Sequence, residues 1–134
     1  MVTIELAGEP RGKGRPRFVR ATGHAFTPAT TRNYEAALRN AAADAMAGAP
    51  PIEGPVRVLV RAYMQIPASW SKKKHEEAML GIVRPTGRPD WENIAKMLDA
   101  FNTVVWRDDA QVVEGSITKH YDQRPRLVVK VEAA

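Results

Sequence analysis

Gly54-Pro55-Val56-Arg57-Val58-Leu59-Val60-Arg61-Ala62-Tyr63-Met64 places an apolar side chain at every second position: Val56, Val58, Val60, Ala62 and Met64. A period of two puts all five on one face of a β-strand. The run opens at Gly54-Pro55 and Pro67 ends it, so it is expected to be a central strand. Outward from it, Val2, Ile4 and Leu6 alternate with Thr3 and Glu5 in the same way. Two more strands are expected at roughly Gln111 to Tyr121 and Arg126 to Glu132.

The intervening segments read as helices. Ala-rich residues from about Thr31 to Ala47 predict one, with Tyr34, Ala37, Leu38, Ala41, Ala45 and Met46 as its buried side. Thr27-Pro28 is its expected cap and first-turn proline, and Gly48 with Pro50-Pro51 stops it. A shorter helix from Lys72 to Leu80 follows Ser69-Trp70-Ser71. The expectation is a single α+β domain over residues 1–134, a small mixed sheet of four or five strands with helices.

Charge is uneven along this frame. The chain carries 20 Lys and Arg against 15 Asp and Glu, a formal net charge of +5. That balance favours anionic partners such as nucleic acid. Pro10 to Arg20 contains Arg11, Lys13, Arg15, Arg17 and Arg20 and no acid, and its Gly12, Gly14 and Pro16 oppose a helix. It reads as a basic loop or irregular edge strand. Lys72, Lys73 and Lys74 sit in a helix first turn, where cations oppose the dipole, which hints at a use facing phosphate. Cysteine is absent, which excludes disulfides, thiol catalysis and zinc-thiolate sites. No signal-peptide pattern opens the chain and no apolar run approaches the ~20 residues of a membrane span. A cytoplasmic protein without membrane attachment is expected.

The acids gather elsewhere. Asp90, Glu92, Asp99, Asp108, Asp109 and Glu114 fall in one stretch, relieved only by Lys96 and Arg107. Asp90 follows Pro89 as a natural N-cap. In the helix after it, Trp91, Ile94, Ala95, Leu98 and Phe101 share the core side, and Glu92, Asn93, Lys96 and Asp99 the other. A turn through Thr103 to Trp106 would bring Asp109 beside Asp90. Clustered carboxylates hold hard divalent cations. A basic surface for a polyanion plus carboxylates for metal is what a metal-dependent nuclease requires. The plainer reading makes Asp90 a cap, Glu92 an i, i+4 partner of Lys96, and Asp108-Asp109 a turn.

Arg88-Pro89-Asp90-Trp91-Glu92-Asn93, Lys96, Asp99-Ala100 and Trp106-Arg107-Asp108-Asp109-Ala110-Gln111 resemble the ordered motifs of the RusA family of Holliday junction resolvases. Lys13-Gly14-Arg15-Pro16-Arg17, Phe26-Thr27-Pro28 and Ile66-Pro67-Ala68-Ser69-Trp70-Ser71-Lys72-Lys73-Lys74 resemble it too. The resemblance runs from about residue 8 to the C-terminus. It implies the family's small α+β fold and a homodimer that cuts four-way DNA junctions by paired symmetric nicks. It maps metal-binding carboxylates onto Asp90, Glu92 and Asp109 and an essential lysine onto Lys96; Asp108 adjoins them, and either it or Asp109 faces the metal. The implied cofactor is Mg²⁺, with Mn²⁺ as the other option, and no small-molecule cofactor. Glu92 departs from the family, which has aspartate there.

Lys13, Arg15, Arg17, Arg20, Lys72, Lys73, Lys74, Arg84 and Arg88 are the expected contacts to the DNA backbone. Two other readings compete. One is a non-catalytic DNA-structure binder of the same fold, with Glu92 marking a decayed site. The other is a basic RNA-binding module whose acids are structural caps.

Overall fold

A computed structural model describes residues 1–14, 17, 18, 20–26 and 29–134, with the backbone alone at 17, 18 and 26. Strands are β1 (Val2–Ala7), β2 (Arg17–Phe18), β3 (Ala25–Phe26), β4 (Val56–Gln65), β5 (Val112–Asp122) and β6 (Arg126–Ala133). Helices are α1 (Ala29–Met46), α2 (Lys72–Met79) and α3 (Trp91–Met97), with 3₁₀ turns at Leu98–Phe101 and Asp109–Gln111. The architecture is α+β.

Four strands form one sheet in the order β1-β6-β4-β5, and β2 and β3 form a separate two-stranded sheet among the described residues. Strand β6 is antiparallel to both β1 and β4, whereas β5 runs parallel to β4. A parallel pair needs a long crossover, and here α2, α3 and both 3₁₀ turns occupy it. The acidic stretch, apart from Glu114 in β5 itself, lies in that crossover, so the topology puts it at the β5 side of the sheet.

The expected central strand is central. Its burial alternates strictly, with Val56, Val58, Val60, Ala62 and Met64 inward. Registration sets Val58 and Val60 opposite Val131 and Val129 of β6, and Ile4 of β1 opposite Val129. These valines are almost fully buried. Each such side chain stabilises the fold by about 1.5–3 kcal/mol before chain entropy is counted. The opposite sheet face carries Arg57, Arg61, Tyr63, Arg126 and His120. Arg126 lies over the Tyr63 ring at 3.9 Å, and Tyr63 stacks on His120 at 5.3 Å.

Helix α1 covers the apolar face, burying Thr31, Tyr34, Leu38, Ala42 and Met46. The stripe passes through Ala42, with Ala37, Ala41 and Ala45 only half-buried beside it. Steps of four from Tyr34 carry the stripe through 38, 42 and 46, and alanines all round masked that choice in the sequence. The expected Thr27-Pro28 cap lies outside the described residues.

The chain after α3 differs from expectation in two ways. The helix gives way at Leu98 to a 3₁₀ turn, and Met97, the last residue of α3, is fully buried on the face of Ile94. Trp91, expected in the core, is 56% exposed. Its indole Nε1 donates to the Ile117 carbonyl at 3.2 Å, at the free edge of β5. An indole is apolar in body and polar at one tip, so it can close an open sheet edge without being buried. The fully buried tryptophan is Trp106, edge-on to Phe101 and donating to Asn102 Oδ1 at 2.7 Å. Among the described residues, no helix is long and apolar enough to cross a membrane.

Candidate active site

The six acids of the acidic stretch have separate surroundings. Asp90 occupies the N-cap position of α3 with extended backbone, yet its side chain makes no capping bond. The expected cap is therefore realised by position and not by hydrogen bonding. A carboxylate at a helix start that leaves the first-turn amides alone is exposed and free to face a ligand. Glu92 pairs with Lys96 at 3.2 Å across one turn, both side chains more than half exposed. Such an i, i+4 pair contributes about 0.3–0.5 kcal/mol, so little energy resists its opening.

Asp108 is committed locally. Its Oδ2 accepts from the Ala110 amide at 3.0 Å, and Gln111 completes a capping box by accepting from the Arg107 and Asp108 amides. The same Gln111 donates to the Ile52 and Gly54 carbonyls at 2.8 and 2.9 Å. One glutamine thus fastens the Arg107–Gln111 turn to the approach to β4. Glu114 is spent on Arg57, at 2.7 Å.

Asp109 stands apart from these. It lies against Asp99, and that carboxylate pushes its carboxyl above the usual range, with partial burial and Asp108 adding to the effect. Two carboxylates in contact repel, and a divalent cation or a shared proton relieves the repulsion. Asp99 in turn accepts from Lys13 Nζ at 3.1 Å, and Lys13 also reaches Glu35 of α1 at 3.5 Å. Partial burial alone would lower the lysine pKa. The bond to Asp99 and the charges of Glu35 and Asp99 outweigh it and raise the pKa instead.

The turn was expected to bring Asp109 beside Asp90. The contact described is with Asp99, and no three Asp, Glu or His side chains are gathered to hold an ion as they stand, among the described residues. Asp99 lies in the 3₁₀ turn Leu98–Phe101, and from there it meets Asp109 of the following 3₁₀ turn. Sequence reasoning placed Asp99 in the acidic stretch but gave it no role. Lys13 is the other surprise, because it points inward to acids and not outward with the basic loop.

The remaining basic residues stay at the surface. Lys72, Lys73 and Lys74 are exposed in the first turn of α2, whose cap is Ser71, accepting from the Lys74 amide at 3.2 Å. Lys74 Nζ sits 4.0 Å from the Trp70 ring centroid, and Trp70 packs edge-on against Tyr121. Arg20, Arg84 and Arg88 are exposed, whereas the side chains of Arg15 and Arg17 lie outside the described residues. A small cleft of about 70 Å³ bordered by Gly81, Arg84, His120 and Tyr121 is lined by none of the six acids. An open acidic edge suits a long polymer better than an enclosed small molecule.

Two comparisons with known proteins place the chain in a family. The family model described as "Endodeoxyribonuclease RusA" matches residues 7–132. An uncharacterised protein, YqaN of Bacillus subtilis (strain 168), is 36% identical over 135 residues, which cover 97% of this chain and 94% of that protein.

Proposed function

The chain belongs to the RusA endodeoxyribonuclease family, and from that premise we propose that it resolves four-way DNA junctions by paired nicks, using a divalent cation held at the acidic edge. The observation that carries the reading is the contact of Asp109 with Asp99; a separate N-cap aspartate, Asp90, caps nothing. The donor set fits Mg²⁺, with Mn²⁺ as the alternative, because every available ligand is a hard carboxylate oxygen. Asp90, Glu92 and Asp109 would hold the ion; Asp108 is less suited, since its oxygen already serves the Ala110 amide. Bound there, a divalent ion supplies Lewis acidity toward a phosphoryl oxygen and lowers the pKa of water.

The chain's own residues do the rest. With Glu92 among the residues that would hold the ion, Lys96, one turn away and now paired with it at 3.2 Å, would be free to place its ammonium against a phosphate oxygen as charge develops there. Arg15, Arg17, Arg20, Lys72, Lys73, Lys74, Arg84 and Arg88 supply the positive surface that orients the DNA backbone. A homodimer would present two such edges across a two-fold axis, matching the symmetry of a junction.

The Glu92–Lys96 pair also supports a second reading, a junction-binding protein that does not cut. A labelled four-way junction and a linear duplex, each with Mg²⁺, Mn²⁺ or EDTA, separate the two. Metal-dependent symmetric nicks in the junction alone establish the resolvase. Binding without cleavage under every metal establishes the binder. Sedimentation of the protein alone tests the dimer.

A further inference from the structure

Residues Arg11 to Gly14 form a strap in the groove between α1 and α3. The Lys13 amide donates to the Asn93 carbonyl at 3.0 Å. Gly12 lies so close to α3 that an added Cβ would stand 2.7 Å from Asn93 Cβ and 2.9 Å from Pro89 Cβ. Only glycine fits there. On the other side, a Cβ on Gly14 would meet Thr31 Oγ1 of α1 at 3.4 Å. Backbone and packing thus fix where Lys13 leaves the strap, and its side chain ends between Asp99 at 3.1 Å and Glu35 at 3.5 Å.

We infer that Lys13 is a positioning residue: bound to Asp99 at 3.1 Å and anchored on Glu35 of α1, it neutralises and holds the carboxylate that lies against Asp109, so that Asp109 faces the cation without the charge of Asp99 competing for it. The inference rests on the reading of this edge as the cleavage site. It also removes Lys13 from the set of phosphate contacts, since a lysine held by two carboxylates has no charge to spare for DNA. The strap then couples the basic loop to the acids.

The consequence has an unusual sign. Without Lys13, Asp99 is free to swing toward the cation and add its charge. Divalent ions then bind more tightly while cleavage slows, because the ligand arrangement is wrong. A change that merely loosened the fold would weaken both together.

The test uses the full-length chain, wild type, Lys13→Met, Lys13→Arg, Asp99→Asn and the Lys13→Met/Asp99→Asn double variant. Three quantities are read: the Mg²⁺ concentration that half-saturates the rise in Tm without DNA, the single-turnover cleavage rate at saturating Mg²⁺, and the salt slope of junction binding in EDTA. For Lys13→Met the half-saturating Mg²⁺ falls about two- to fivefold, the size of one partly exposed ion pair. Cleavage falls and the salt slope stays at the wild-type value. Lys13→Arg restores both. In the Asp99→Asn background, the Lys13→Met effect on Mg²⁺ disappears, as a coupled pair requires.

A drop of about 0.9 in the salt slope of Lys13→Met would make Lys13 an ordinary phosphate contact and overturn the inference. So would an unchanged Mg²⁺ response in a variant set whose wild type responds. A wild type with neither Mg²⁺ response nor cleavage would instead overturn the reading of the edge itself.

Discussion

Helix α1 runs for 18 residues and buries one continuous stripe, while α3 lasts seven residues before tightening into a 3₁₀ turn. The first is held by the core over its whole length. The second is held at points: Trp91 on the edge of β5, Ile94 and Met97 inward, and the strap across Asn93. The α3 N-cap side chain is uncommitted, whereas the Ser71 cap of α2 makes its bond. Where helix ends are saturated, the chain is building structure. Where a capping residue is left unused at an acidic edge, its side chain remains available for chemistry.

The largest stability effect is expected in α1. Leu38→Ala removes a fully buried side chain from the stripe and should cost about 2–5 kcal/mol, read from the denaturant midpoint. Cleavage per folded molecule should be unchanged. If activity falls more than the folded fraction does, α1 is part of the site and the division between the helices fails.

Asp90→Asn and Ser71→Ala sharpen the contrast between caps. Asp90→Asn should leave stability within about 0.5 kcal/mol, because no capping bond is lost. Its cleavage should fall by on the order of 100-fold or more, and junction binding should hold or strengthen as a repulsive charge goes. Ser71→Ala should do the reverse, costing about 1 kcal/mol with cleavage kept. An Asp90→Asn protein that nicks junctions at the wild-type rate would mean the uncapped aspartate is not catalytic.

Trp91→Phe tests how α3 is pinned. It keeps most of the ring but removes the bond to the Ile117 carbonyl, so the expected cost is about 1 kcal/mol by thermal unfolding. A loss of several kcal/mol would mean the ring is core after all, and α3 would resemble α1.

The sheet was open to sequence reading because its signal is local and repeated. Val56 to Met64 can satisfy a period of two in only one way, and no long-range contact is needed to see it. Of the candidate site, the acids were visible and their contacts were not. Asp90, Glu92 and Asp109 announced themselves as acids in a basic chain, and the motif resemblance assigned them roles. The Asp99–Asp109 contact was hidden because it depends on α3 turning into a 3₁₀ helix, a change with no marker in Leu98-Asp99-Ala100-Phe101. Lys13 was hidden for another reason. Its neighbours are all basic, so composition grouped it with the DNA surface, while Gly12 and Gly14 carried the information that the strap is packed between helices.

The smallest expected effect concerns the sheet that α1 and α3 share. Burial lowers the His120 pKa below its ordinary value near 6.5, and the nearby Arg84 and Arg61 lower it further. The folded protein therefore binds fewer protons than the unfolded chain between that lowered value and about 6.5. Stability falls as pH drops through this window, and this contribution is flat below it. His120→Gln removes this dependence, so wild type should lose Tm relative to the variant as pH falls through the window. Hydrogen exchange then decides how the helices relate. If acidification lowers protection of α1 and α3 amides equally, and His120→Gln abolishes both changes, the two helices unfold with one sheet. If only α3 amides respond, α3 opens on its own, and the acidic edge belongs to a less stable unit than the core beneath it.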